Sequence, residues 1–352
     1  MARTVKHLSL HRIAGIELRV VADVEEGVIP IVEIEEAVIR QYVRGRQPPW
    51  PHQSVNLFVL EDLQPLVHQL QQQAAAGAFQ PAETGDVPVV NVYDLADLAT
   101  CNVFVNRQVM VREGYWDDAL AVQGLLAHEH AHPLAENVTT RASREFALPQ
   151  VVLAGPVFTA GSVELKDRLQ RLLVGLATKL CLYAPREIFA NQLTLATGFG
   201  AALLYLDRRN VANASRSVLG RDELHRQLQQ QVDQGKLTPT GAELVLLVGD
   251  LNSYLDLALE IAPFYRAGRE GDARELEARL EQDVFPRLAP NVAPVYAALR
   301  DQYLAIDINL AWGALRDWIA SILDLLARAL SGTGVQLIWK LEVGGWKLEV
   351  GS

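Results

Sequence analysis

The sequence predicts an α+β protein: a small mixed sheet with a helix beside it, followed by a mostly α-helical C-terminal half. Three observations carry this. Short runs rich in β-branched and aromatic residues cluster before Arg112. Beyond about Leu206, apolar residues recur at spacings of three and four. Between the two regions, an apolar helical stretch ends in His128-Glu129-His130-Ala131-His132.

The elements follow in order. Residues 14–23 read as a strand, and Ile31 to Arg46 as an amphipathic helix entered from Pro30. Gln47-Pro48-Pro49-Trp50-Pro51 then breaks the chain. Val55 to Leu60 reads as a strand, Leu63 to Ala76 as a Gln-rich helix, and 77–87 as a loop. Val89 to Tyr93 and Asn102 to Asn106 are short strands, with Gln108 to Val111 as a third. Asp117 and Asp118 mark a helix start, and Ala119, Leu120, Val122, Leu125 and Leu126 form its apolar stripe. Pro133 disfavours helical geometry in the residue before it, so the helix is expected to end or kink at His132.

The helical half comprises Arg221 to Lys236, Gly241 to Ala262, Asp272 to Val284, Val295 to Leu304 and Leu310 to Leu330. It offers either a second wall for a cleft or a surface for a homo-oligomer. Thr238-Pro239-Thr240 reads as a cap and turn. At the end, Trp339-Lys340-Leu341-Glu342-Val343-Gly344 recurs from Trp346 to Gly351, which suggests a hairpin or an appended foreign segment. The expected division is an N-terminal α/β segment (1–87), a catalytic unit (88–210), a helical subdomain (211–330) and a tail (331–352).

His-Glu-x-x-His is the motif that carries chemistry. Residues four apart share one helix face, so His128 and His132 can offer two imidazoles to one Zn²⁺. Glu129 sits about 100° round the helix, where a carboxylate can act as general base on a water. His130 points away from the ligand face and reads as a supporting or surface histidine. A catalytic zinc takes three protein ligands. The position six residues after His132 is Val138, which excludes a third histidine at that spacing, and none follows before His225. A carboxylate is therefore expected, from Glu136, Glu145, Glu164 or Glu187. Glu187 stands out: Pro185 suits a helix start, Glu187 and Asn191 share a face, and Ala190 is small enough for close packing.

His-Glu-x-x-His followed by Glu187-Ile188-Phe189-Ala190-Asn191 resembles the gluzincin zinc metallopeptidases. The M48-type peptidases show E-x-x-A-D and the ImmA/IrrE-type proteins E-x-x-A-N. The resemblance covers roughly residues 88–205. It implies a zincin-like unit in which Glu187 is the third zinc ligand and Asn191 supports a zinc-binding histidine. It also implies that a peptide or protein substrate pairs with an edge strand, for which Asn102, Val103, Phe104, Val105 and Asn106 are the candidates. Tyr183, His225, Tyr254 and Tyr265 are candidate donors to an oxyanion. A zinc-binding regulatory or sensor protein of the same fold, with narrow or no peptidase activity, is the alternative.

Composition bounds the rest. The 352 residues are half hydrophobic, enough for one large domain or two modest ones. A formal charge of −10 without a basic tract argues against nucleic acid as a partner. Cys101 and Cys181 do not make a disulfide framework. The N-terminus lacks a long apolar run and no stretch of 18 apolar residues is uninterrupted, so a cytoplasmic chain without stable membrane insertion is expected.

Overall fold

The computed structural model describes residues 4–45, 48–66, 86–155, 163–331, 333, 336–343 and 346–351. Most of the expected helix 63–76 and of the loop 77–87 lies outside the described residues. The fold is α+β, with a small mixed sheet and a mostly helical second half. Two compact units divide the chain: Met1–Ala135 with Leu193–Leu206, and Glu136–Gln192 with Asp207–Ser352. The boundaries expected at 87 and 210 are not the observed ones. The N-terminal strands hydrogen-bond into the same sheet as the strands after residue 88, so they belong to one unit.

In the first unit, β1 (His7–Ile13) and β2 (Ile16–Ala22) form a hairpin. Its turn residues, Ala14 and Gly15, both have positive φ (52° and 91°), as a tight two-residue hairpin turn requires. The parallel core of the sheet is β2, β3 (Ser54–Leu60) and β5 (Thr100–Asn106), with β4 (Val89–Tyr93) antiparallel on the outer side of β5. Alternation buries Leu18, Val20, Val55, Leu57, Val103 and Val105 on one face. On the other face β3 and β5 pair like with like. Ser54 Oγ lies 2.8 Å from Thr100 Oγ1, Asn56 donates to Asn102 at 2.9 Å, and Phe58 stacks on Phe104 with ring centroids 4.7 Å apart. Helix α1 (Val28–Gly45) buries Ile31, Val32, Glu35, Val38, Ile39 and Tyr42, one stripe at helical spacing.

Gln108 to Val111 is not a strand. It lies in the short helix α2 (Arg107–Arg112), because the Asn106 side chain accepts from the Val109 amide at 3.4 Å and caps a turn there. Helix α3 (Ala119–Leu134) carries the histidine motif. Asp118 caps it, accepting from Ala121 N at 3.1 Å and from the Tyr205 hydroxyl at 2.5 Å. At Gly124 a Cβ would lie 2.5 Å from Leu206 Cδ1 and 3.1 Å from the Ala202 carbonyl oxygen, so the missing side chain is what lets the two backbones approach.

The second unit begins with α4 (Val138–Ser143) and β6 (Gln150–Ala154). A helical run follows, whose stretch Leu193–Leu206 belongs to the first unit: α5 (Val163–Ala177), a π-helical turn Thr178–Tyr183, α6 (Ala184–Thr194), a second π-helical turn Leu195–Phe199, and α7 (Gly200–Asp233). Pro185 therefore does not open a new helix. The wider turn immediately before it accommodates a residue without an N–H. An 18-residue window of this run is apolar enough to cross a membrane, and 61% of it is buried in the protein.

Helices α8 (Pro239–Tyr254), α9 (Leu257–Arg266), α10 (Glu270–Asp283), α11 (Val292–Ala305) and α12 (Trp312–Leu330) follow. The Thr238 side chain caps α8 from the expected position, at 3.1 Å from Gly241 N. The Gly241–Ala262 helix is two, because the chain turns at Leu255 and Asp256. Strands β7 (Gln336–Val343) and β8 (Trp346–Gly351) form the expected hairpin. It is not a loose tail: β7 pairs with β6, and Trp339 is fully buried.

Candidate metal centre

Helix α3 is where sequence becomes chemistry. Its spacing places the ligand-capable atoms of His128, Glu129 and His132 within 4.8 Å of one another, the one such group among the described residues. The imidazole centroids of His128 and His132 are 4.6 Å apart with planes at 79°. His132 is buried, while His128 and Glu129 are half-buried.

The helix does not end at His132. It runs through Pro133 to Leu134. A proline in a helix leaves the carbonyl four residues earlier without its usual donor, and here that carbonyl belongs to Glu129. The Asn91 side-chain amide takes the role, donating to Glu129 O at 3.2 Å. The Asn91 backbone amide also donates to Glu129 Oε2, at 2.9 Å. One buried residue of β4 thus fixes both the main chain and the carboxylate of the motif glutamate. The sequence reading missed Asn91. The signal was present as one amide in a strand of valines, together with a proline whose position orphans a carbonyl.

The opposite side of α3 is also polar. His130 is not at the surface. It is fully buried, with Nε2 2.7 Å from Glu35 Oε1 on α1, and Glu35 is fully buried too. Burial disfavours the charged imidazole, but the Glu35 carboxylate together with Cys101 outweighs it and raises the His130 pKa. One helical turn earlier, the Tyr42 hydroxyl of α1 donates to the Ala127 carbonyl at 2.7 Å. Trp50 lies against His130 at 5.2 Å and against His52 at 5.0 Å between centroids. Burial pushes the His52 pKa down to about 4, although its Nδ1 donates to Leu98 O.

The expected edge strand is corrected. Asn102 to Asn106 lies in β5, which is flanked by β3 and β4 and so has no free edge. Asn102 donates to Val92 O at 3.3 Å and Asn106 caps α2. The edge beside α3 is β4, the strand that supplies Asn91.

The remaining candidates belong to the second unit. Glu187 is half-buried on α6, and Asn191, one turn on, is buried. Burial opposes the charge on Lys179, but Asp256, then Glu260 and Glu187, outweigh it. Glu187 thus lies within electrostatic range of the Lys179 ammonium. Tyr183 closes the π-helical turn before α6. His225 is exposed on α7. The Tyr254 hydroxyl lies 3.1 Å from Ser217 Oγ, and the Tyr265 hydroxyl donates to Glu277 at 2.5 Å.

The donors on α3 fit a zinc ion: two imidazoles from one helix face with a carboxylate beside them are the donor types this ion takes. Comparison with family models, with curated proteins and with solved structures found no match.

Proposed function

We propose that this chain is a zinc-dependent peptidase of gluzincin type with a zincin-like first unit. The observation that carries the reading is the convergence of His128, Glu129 and His132 on a helix lying beside the sheet-edge strand β4. His128 and His132 would hold the ion, and Glu187 enters as third ligand, supported by Asn191, on the motif resemblance alone. When bound, zinc lowers the pKa of water and polarises a substrate carbonyl. Glu129 takes the water proton and passes it to the leaving amine. A peptide laid along β4 accepts the Asn91 N–H, which frees the Glu129 carboxylate for the water.

A second reading has one observation in its favour. The Asn91 N–H occupies Glu129 Oε2, an oxygen that a general base needs free to take the water proton. That suits a zinc-binding regulatory or sensor protein with narrow or no peptidase activity.

Metal analysis and peptide cleavage separate the two. About one zinc per chain, lost in Glu187→Ala, and cleavage abolished by Glu129→Gln with zinc retained, is the peptidase outcome. Zinc retained without cleavage of any peptide in a broad library favours the regulatory protein. A chain that takes up no zinc overturns both.

A further inference from the structure

We propose that Glu35 and His130 are a positioning pair that sets the rotation of α3 about its own axis, and with it the aim of His128 and His132. The inference rests on the zinc-site reading. At about 100° per residue, His132 lies about 40° round the helix from His128, and His130 about 200° from it. His130 is therefore diametrically opposite the midpoint of the ligand pair, the position from which a tether best controls where that pair faces.

The tether is directional. Around it, α3 packs through Ala121, Val122, Leu126, Ala127 and Ala131, small or apolar side chains whose contacts are not directional. The 2.7 Å contact between Nε2 and Oε1 is, and it acts from the face of α1 while the Asn91 bonds to Glu129 act from β4. Among the described residues, the other carboxylate oxygen, Glu35 Oε2, has no hydrogen-bond partner, so His130 is what orients this side chain. The Tyr42 hydroxyl on Ala127 O ties the same two helices one turn away. Side-chain atoms lie about 5–6 Å from a helix axis, so a rotation of about 10° moves a ligand nitrogen by about 1 Å. Metal–ligand distances hold to about 0.2 Å. A small slip of α3 is enough to spoil the site while the fold survives.

The test uses the full chain and a replacement chosen to fold. Exchanging both members of a buried ion pair for apolar residues is often neutral for stability. Glu35→Met/His130→Leu is therefore compared with wild type and with Glu35→Gln, which keeps an acceptor oxygen for the histidine. Each is checked for folding by circular dichroism, then titrated with zinc against a chromophoric chelator and with cobalt(II) to read its ligand-field spectrum. The expected result is a folded double variant with zinc affinity down about tenfold or more and an altered cobalt spectrum, and Glu35→Gln in between. A folded double variant with wild-type affinity and spectrum would overturn the proposal and leave the pair a structural one. Wild type that binds no zinc would instead overturn the site reading on which it rests.

Discussion

Asn91 gives the carbonyl oxygen of Glu129 the hydrogen bond that Pro133 cannot, at 3.2 Å, and holds the carboxylate of the same residue through its own backbone amide at 2.9 Å. A proline immediately after a candidate ligand is an awkward feature of a helical motif. Here it is compensated from the neighbouring strand, and the compensation ties the edge of the sheet to the residue proposed as base.

A double-mutant cycle checks that tie. Asn91→Ala is expected to cost about 1 kcal/mol in urea unfolding, the typical worth of one buried hydrogen bond. Pro133→Ala restores an amide that can serve the Glu129 carbonyl within the helix. In that background Asn91→Ala is expected to cost about 0.5 kcal/mol less. Strict additivity would show that Asn91 and Pro133 are not coupled through this carbonyl.

The extent to which the sequence disclosed this arrangement follows from range. Val89–Tyr93 was legible residue for residue, because a β-branched run after a proline is a local signal. The start of the motif helix was legible too, through its stripe and the Asp118 cap, but its end was not: it runs past Pro133 to Leu134. Which strand lies at the edge was not legible, since the order β3-β5-β4 is set by long-range pairing that Asn102 to Asn106 does not encode. The strand from His7 was missed because its apolar residues alternate with histidine, serine and arginine at an exposed edge. His130 reads as polar and hence solvated until Glu35, 95 residues away, is placed beside it.

Gly124 is expected to tolerate no side chain. Gly124→Ala would place a methyl 2.5 Å from Leu206 Cδ1 and 3.1 Å from the Ala202 carbonyl oxygen. Alanine favours helix by roughly 1 kcal/mol over glycine, so an exposed site would gain stability. Here overpacking is expected to prevail, with a net loss of about 1–2 kcal/mol in chemical denaturation. A gain in stability would mean that α3 and the helix over Ala202 to Leu206 lie further apart.

His52 makes stability depend on pH. Its pKa is pushed by burial from the ordinary 6.5 to about 4 in the folded protein. Below pH 6.5 the unfolded chain protonates this imidazole while the folded chain does not, so the unfolded state binds more protons and stability falls with pH. The contribution is complete above pH 6.5 and is lost on descending to about pH 4, a loss of about 3 kcal/mol. His52→Gln removes the titrating group, so its unfolding free energy should fall less steeply across that window. Parallel curves for wild type and variant would refute the assignment.

Arg266 is expected to be irreplaceable by lysine. Its Nη1 donates to the carbonyls of Leu304 and Ile306 at 2.8 Å and of Tyr303 at 3.3 Å, and its Nε to Gln192 Oε1 at 3.1 Å. The last carbonyls of α11 have no partner within the helix, and a guanidinium there answers both their hydrogen-bonding need and the negative end of the helix dipole. A lysine keeps the charge but lacks the planar fork that serves the carbonyls and Gln192 together. Arg266→Lys should therefore cost about 2 kcal/mol, and Arg266→Met, which removes the charge as well, about 3 kcal/mol. Hydrogen exchange gives the local readout: amides in the last turn of α11 should exchange faster in both variants while those of α3, in the other unit, stay unchanged. Equal protection in Arg266→Lys and wild type would show that charge alone, without the fork, holds the end of α11.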